Sequence, residues 1–340
     1  MLHGICETKG RVTRCGGKNV TDTHETMCRV GFNAICVLCF GLCVGNFANA
    51  ELPENVKFCI PKQYRVTYDC PAGGNAPTQQ STAYGNNFTT GVGCNNAPAW
   101  RVDDSDTIIT SNTTIPYAYT HDIVLHADYS SLYTIAGGKL INADPYVYLE
   151  STGTQYIDTN IIPISNTGVQ IDFAFTPENI TRKADAAVFG VWNPNFLLAH
   201  QGAIARAPFC VAHRNSLGCD WHEKASDSER HICDVNFMNT KKFSISGIAS
   251  GMLGLESIKA NVSVYLFAAH SNNGYPTEYS MAKIYYANFS DDQSVIRRYV
   301  PIPRGMRIGD YVVPSNGMWD MVEQKFYPNL GTGEFIYGRE

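Results

Sequence analysis

Apolar residues in this chain recur at period two, in short runs broken by Gly, Pro, Asn and Asp. Tyr64-Arg65-Val66-Thr67-Tyr68, followed by Pro71-Ala72-Gly73-Gly74-Asn75, is typical, and no stretch of residues 51–130 sustains a 3.6-residue period. A strand with one buried face needs that alternation, and a helix cannot use it. Composition agrees. Charged residues make up 17% of the 340 residues, against about 25% in an average globular domain. Thr, Ser, Asn, Gly and Tyr replace them, a mixture that favours strands and turns. With 44% hydrophobic and 11% aromatic residues, the chain can fill cores and is not of the disordered class. A net charge of −5 offers no basic surface to a phosphate backbone, so nucleic acid is not an expected partner.

The first fifty residues have a different character. Met27-Cys28-Arg29-Val30 is a short, positively charged start, Ala34–Val44 is an apolar run of eleven, and Ala48-Asn49-Ala50 is a small-x-small triplet. This is the order of a secretory signal, so residues 27–50 are expected to be a signal peptide. Eleven apolar residues are too few to cross about 30 Å of hydrocarbon as a helix, so no transmembrane segment is expected. Residues 1–26 are polar and precede the signal; they read as an upstream extension with translation expected to begin at Met27, a long n-region being the alternative. Cleavage after Ala50 removes Lys9, Arg11, Arg14, Lys18 and Arg29 from the 26 basic residues, and Glu7, Asp22 and Glu25 from the 31 acidic ones. The remainder carries a net charge of −7 (21 basic, 28 acidic) and six of the 12 cysteines: Cys59, Cys70, Cys94, Cys210, Cys219 and Cys233. An even number in an exported chain permits disulfides. The expected location is extracellular or at the cell surface, with the periplasm as the alternative.

Residues 51–130 read as a small β-rich module. Cys70 and Cys94 flank one loop excursion and are a candidate pair, the unpaired state being the alternative. The pattern Tyr64-x-Val66-x-Tyr68-x-Cys70, a Gly-rich turn, Ala76-Pro77-Thr78, Tyr84-Gly85, Phe88-Thr89, Cys94, Trp100-x-Val102 and Tyr119-x3-Ile123-x-Leu125-x-Ala127-x-Tyr129 resembles the Listeria–Bacteroides repeat, also called the internalin B-repeat. The family usually has Gly-aromatic-x-Gly-Trp before the central strand, where this chain has Ala97-Pro98-Ala99-Trp100. The resemblance implies a β-grasp-like spacer of surface proteins, without catalytic residues. Residues 131–145 carry turn signals, Gly137-Gly138-Lys139 and Asn142-Ala143-Asp144-Pro145, and read as a connector.

Residues 146–340 show strand-like runs at 146–149, 169–175, 187–191, 210–213, 232–237, 243–248, 262–268, 282–287 and 294–300. Many short strands at even spacing imply a β-sandwich or jelly roll. Four blocks occur in order: Tyr148-Leu149-Glu150-Ser151-Thr152-Gly153-Thr154-Gln155-Tyr156-Ile157-Asp158-Thr159; Val264–Ala269 with Ala282–Tyr286; Val295–Pro301; and Gly317-Met318-Trp319-Asp320 with Lys325–Asn329 and Gly331–Phe335. They resemble the concanavalin-A-like (laminin-G-like) domain of secreted gut-bacterial proteins and their phages. The expected fold class is therefore all-β: a concanavalin-A-like sandwich, 146–340, after a small β-grasp-like module. The fold does not name a ligand, because function lives in the site.

The densest polar cluster is Cys210, His213, Cys219, His222, His231 and Cys233. Cys-x2-His occurs twice, as in zinc sites, but only five residues separate the two halves. Residues i and i+3 on a strand also face opposite ways, so no metal is expected. One disulfide among Cys210, Cys219 and Cys233 is expected instead, with the third a candidate partner for Cys59. Calcium is common in this fold class, yet no compact Asp-x-Asp-x-Asp loop occurs in residues 146–340, so no cofactor is expected. The Glu-x-Asp-x-x-Glu string of jelly-roll glucanases is absent, as are Gly-x-Ser-x-Gly and a phosphate-binding loop. The expectation is a protein without enzymatic activity.

Sugar binding asks only for an exposed aromatic ring to stack on and for amides or carboxylates to meet hydroxyls. Two loops offer these: Trp192-Asn193-Pro194-Asn195, and Asn272, Asn273 and Tyr275 after His270-Ser271. Trp221 and His222 lie near a hairpin and are further candidates. Against each stands the ordinary role of tryptophan in a core and of Asn-Asn-Gly in a turn. The expected function is binding or adhesion at a surface, with a glycan or surface polymer recognised by sandwich loops. A protein-binding or structural module is the first alternative and a glycoside hydrolase of unrecognised type the second.

Overall fold

The computed structural model describes residues 4–8, 11–15, 58–70, 74–103, 105–192, 194–214, 219–221, 224–236, 242–253, 257–292 and 294–340. The expected signal peptide, 27–50, lies outside them, as do the side chain of Cys59 and the whole of Asn193 and His222. The described residues are all-β apart from one helical turn, Pro177–Thr181, and one 3-10 turn, Ser130–Leu132. Among the described residues no helix is long and apolar enough to cross a membrane.

The chain divides into two compact units, one of residues 1–67, 78–90 and 112–124, the other of 68–77, 91–111 and 125–340. In the first unit, Gly4–Thr8 pairs with Arg11–Cys15 and with Phe58–Pro61. Gln63–Val66 pairs with Gln80–Ala83, and Asn87–Thr89 forms a ribbon with Thr114–Pro116. Tyr117 is fully buried there, with Tyr64 and Phe88 each 5.7 Å away between ring centroids.

The second unit holds the sandwich. Its larger sheet runs in the order 249–252, 242–245, 231–236, 167–175, 282–291, 294–302, 317–320, 325–327, and Val147–Glu150 joins both 282–291 and the last strand, Ile336–Arg339. The smaller sheet runs 157–158, 265–266, 185–191, 195–201, 209–214, with Ala269–His270 set parallel to Val191. One face of each sheet is apolar at period two: Val169, Ile171, Phe173 and Phe175 from the larger, Phe196, Leu198, Phe209 and Val211 from the smaller. These faces form one shared core, and each buried Phe or Leu contributes roughly 1.5–3 kcal/mol.

A register shift keeps the core in phase. The register between 167–175 and 282–291 shifts after Asp172, so Tyr286 opposes Asp172 while Ile284 opposes Phe173. Tyr285 is the extra residue, and the bulge lets Ala282, Ile284, Ala287 and Phe289 all face inward. Residues 133–143 form a hairpin whose Tyr133 hydroxyl donates to the Pro301 carbonyl at 2.7 Å and lies 2.9 Å from the Tyr337 hydroxyl. In the same unit Trp100 is fully buried, edge-on to Tyr68 at 4.8 Å, and its indole donates to the Gly91 carbonyl at 3.0 Å.

The Cys70–Cys94 pair is bridged, with Cα atoms 5.1 Å apart. Of the three later cysteines, Cys210 and Cys219 are bridged, with Cα atoms 5.5 Å apart. Cys233 is a free thiol within the core, and burial pushes its titration well up.

Asp320 is fully buried at the end of the 317–320 strand. Its Oδ1 accepts from the backbone N–H groups of Arg298 (3.0 Å) and Val322 (2.9 Å), and its Oδ2 lies 3.2 Å from Arg297 Nε. Removing the carboxylate strands two amides and takes from Arg297 one of its two carboxylate partners, Glu323 being the other. Asp320→Ala should lose about 3 kcal/mol in urea unfolding, and a loss under 0.5 kcal/mol would show that this cluster does not hold the hairpin.

Candidate functional site

The smaller sheet has a second face, which turns away from the shared core. Its centre is made of small side chains: Ala187, Ala199, Ala212 and Ala269, with Leu197 and Cys210, against which Trp192 and Cys219 pack. Its margin is aromatic. Ile157 and Leu266 point into the core, so their strand neighbours Tyr156, Asp158 and Tyr265 point out. Asp158 and Tyr265 are direct cross-strand partners. The Tyr156 ring lies 4.7 Å from that of Tyr265 and 6.1 Å from that of Tyr279. Tyr156, Asp158 and Tyr279 are half-buried and Tyr265 is buried. Burial raises the phenols of Tyr156 and Tyr265, the latter to about 12, and the Asp158 carboxylate adds to both.

His270 completes the group. Its ring stacks on Tyr265 at 3.8 Å between centroids, with Nε2 3.1 Å from the Tyr265 hydroxyl. Its Nδ1 lies 2.8 Å from the Ser263 carbonyl, which can only accept, so Nδ1 carries a proton. In the neutral ring Nε2 then accepts from the Tyr265 O–H.

The loop predicted from Asn272, Asn273 and Tyr275 stands at the same margin. Its turn is closed by Gly274 N–H to the Ser271 carbonyl (2.9 Å) and Ser271 N–H to the Tyr275 carbonyl (3.0 Å), with Gly274 at φ +81°. Asn272 and Asn273 are exposed, and Tyr275 is 71% exposed. The other predicted loop is brought to it: Trp192 N–H donates to the His270 carbonyl at 2.9 Å. The remaining candidates are placed differently. Asn195 is fully enclosed in its strand. Trp221 lies over the core, 5.3 Å from Phe243, and bonds its N–H to the Val211 carbonyl at 3.2 Å.

The proposed zinc spacing takes another form. Cys210 and Cys219 hold each other, and His213 is buried beside Phe196 at 5.9 Å. His231 lies 2.7 Å from Asp227 and 2.8 Å from the Ser246 carbonyl. Among the described residues no group of three His, Cys, Asp or Glu converges as metal ligands do.

Sequence reasoning passed over Tyr156, Asp158, Tyr265, Tyr279 and Glu278 as a site. The alternation Tyr-Ile-Asp around Ile157 was the available signal. Tyr279 had none, since it arrives through a parallel bridge between Tyr279 and Ala187. The sequence matches no family model and no curated protein.

Glu278 sits behind this margin. Its backbone carbonyl accepts from Ala187 N–H at 2.7 Å, and its φ is +51°. Burial, then the nearby Asp185 carboxylate, raises its carboxyl to about 7 against a hydrogen bond from Trp192 that lowers it. An acid whose folded pKa exceeds its unfolded one costs stability as pH rises through the folded value. The wild type should therefore lose stability relative to Glu278→Gln between about pH 4.5 and pH 7. The gap should reach about 1–2 kcal/mol above pH 7, after screening by the solvent the group still meets. Parallel stability curves for the two proteins over that range would refute the assignment.

Proposed function

We propose that this protein is an exported, surface-displayed binding protein without enzymatic activity, whose concanavalin-A-like sandwich recognises carbohydrate. The observation that carries the reading is the aromatic margin of the smaller sheet. Tyr156 and Tyr279 offer half-buried rings, Tyr275 an exposed one, and Asp158, Asn272 and Asn273 offer polar groups within the same region. Sugars are held by such a pairing: an apolar ring face under the C–H groups and hydrogen-bonding side chains around the hydroxyls. Several further features support it. The tyrosine rings stand at the edge of the smaller sheet rather than in its buried centre, and two disulfides suit an oxidising compartment. The small module, similar to the internalin B-repeat, takes the part of a spacer.

The test is a glycan array with the full chain in oxidising buffer, with and without calcium. Selective binding is expected, weakened about tenfold by Tyr156→Ala, since an aromatic contact contributes about 0.5–1.5 kcal/mol beyond its buried area. Asn273→Ala should reduce binding to the same sugars, with unchanged circular dichroism in both variants. A flat array from folded protein would sink the carbohydrate reading and favour a protein-binding module.

A further inference from the structure

We infer that the first unit carries a second binding site, a cleft that takes an acidic saccharide by its carboxylate or sulfate groups. None of its residues belongs to the aromatic margin, so the inference stands apart from the carbohydrate reading of the sandwich.

The cleft has a volume of about 910 Å³ and is lined by Lys62, Gln63, Arg65, Ser81, His121 and Asp122. Strand geometry brings these together from three segments. Tyr64 and Val66 are buried, so Gln63 and Arg65 point to the other face of their strand. Arg65 and Ser81 are cross-strand partners and share that face. Asp122 Oδ1 accepts the Arg65 backbone N–H at 3.0 Å, and the His121 carbonyl accepts the Tyr117 hydroxyl at 2.5 Å, which together fix residues 121 and 122 beside them. Lys62 Nζ stands 4.9 Å over the Tyr64 ring.

Charge is gathered at this one place. In residues 58–67, 78–90 and 112–124 the charged side chains are Lys62, Arg65 and Asp122, and the one histidine is His121. All of them line the cleft. Among the described residues neither Lys62 nor Arg65 is spent on an ion pair. The cleft thus sets two permanent cations against one carboxylate, in a chain whose net charge is −5. A guanidinium presents a planar fork of donors that matches an oxyanion. The ligand is therefore anionic.

The rest of the lining says what carries the charge. None of the six side chains is apolar, whereas peptides are held largely by anchors in apolar pockets. Gln63 and Ser81 both donate and accept hydrogen bonds, as sugar hydroxyls do. The volume exceeds that of a lone ion and falls within the roughly 300–1,000 Å³ of small-molecule sites.

Four tetramers separate the outcomes: a β-1,4-linked glucose oligomer, its uronic acid form, its sulfated form and a glutamate peptide. Their affinities for the full chain are measured by calorimetry at low and high salt. At least one acidic saccharide should bind about tenfold tighter than the neutral one, and less tightly at high salt. The tighter of the two names the anion. Arg65→Gln keeps a polar side chain at an exposed position and removes the charge, so it should weaken that binding about tenfold. Lys325→Gln, which removes an exposed cation of the sandwich, and Tyr156→Ala, at the aromatic margin, should leave it unchanged. Equal binding of neutral and acidic saccharides, or none, would overturn the inference and leave the array to decide the sandwich reading. Full affinity in Arg65→Gln, or an equal loss in Lys325→Gln, would also overturn it, the second by reducing the effect to bulk charge. Loss in Tyr156→Ala would move the anion to the margin and overturn the second site. Equal or tighter binding of the glutamate peptide would overturn the choice of a saccharide.

Discussion

Everything in the sandwich depends on two apolar sheet faces that only each other can cover. Strand 167–175 offers Val169, Ile171, Phe173 and Phe175, and the opposing strands offer Phe196, Leu198, Phe209 and Val211. Phe209 bridges the layers, 6.2 Å from Phe173 and 6.0 Å from Phe175, and Phe189 meets Phe289 at 6.5 Å. Neither sheet could keep such a face in water, so the two form together or not at all. The order of the loops, and with them the aromatic margin, follows from that mutual burial.

The same core sets the price of polarity inside it. Asp172 is buried on the far side of the larger sheet, and Arg230 answers it with two hydrogen bonds, 2.9 and 2.8 Å, while stacking on Tyr285 at 3.7 Å. The bulge that makes Tyr285 an extra residue is what presents its ring to that guanidinium. His200 is enclosed in the core beside Phe175 at 5.8 Å, and burial holds its titration below the ordinary imidazole value. A charged imidazole there would meet mostly apolar surroundings, so the fold keeps it neutral. Buried carboxylates are tolerated where a guanidinium meets them, as Asp172 and Asp320 show, and the unpaired His200 ring is held neutral instead.

Where apolar residues alternate with others along a strand, the strand was legible in the sequence. Tyr64–Tyr68 and Val169–Phe175 alternate visibly, and both lie in strands. The all-β class followed from such runs. The Cys70–Cys94 pairing was legible as a loop excursion with two candidate ends, and a bridge within the 210–233 group was legible from proximity. Asn195–Gln201 was not legible as a strand. Phe196 and Leu198 enter the shared core while Leu197 and Ala199 lie against the second apolar cluster, so both faces are buried and the alternation vanishes. The run 262–268 failed in the opposite way. Its apolar sequence suggests seven strand residues, but Tyr265–Leu266 alone are paired and Phe267 turns aside at φ +65°. Of the site, the exposed loop at 272–275 was legible because turn residues announce themselves. Tyr156, Tyr265 and Tyr279 were not, because pairing between distant segments brings them together and no local spacing records it.

If the margin binds a ligand as proposed, that origin gives it the means to be selective. Each outward residue shares a strand with an inward one: Tyr156 and Asp158 flank Ile157, and Tyr265 precedes Leu266. Ile157 and Leu266 are fully buried and are cross-strand partners, so displacing an outward ring means moving the core beneath it. Interiors packed to crystal density resist such motion. Side chains held this way give up little rotamer entropy when a ligand arrives, which leaves more of each contact for affinity. The exposed loop carrying Asn272, Asn273 and Tyr275 lacks that support, since its turn is closed by two backbone hydrogen bonds. On the proposed reading, the rigid margin is the part suited to choosing a ligand, and the loop the part suited to adjusting around it.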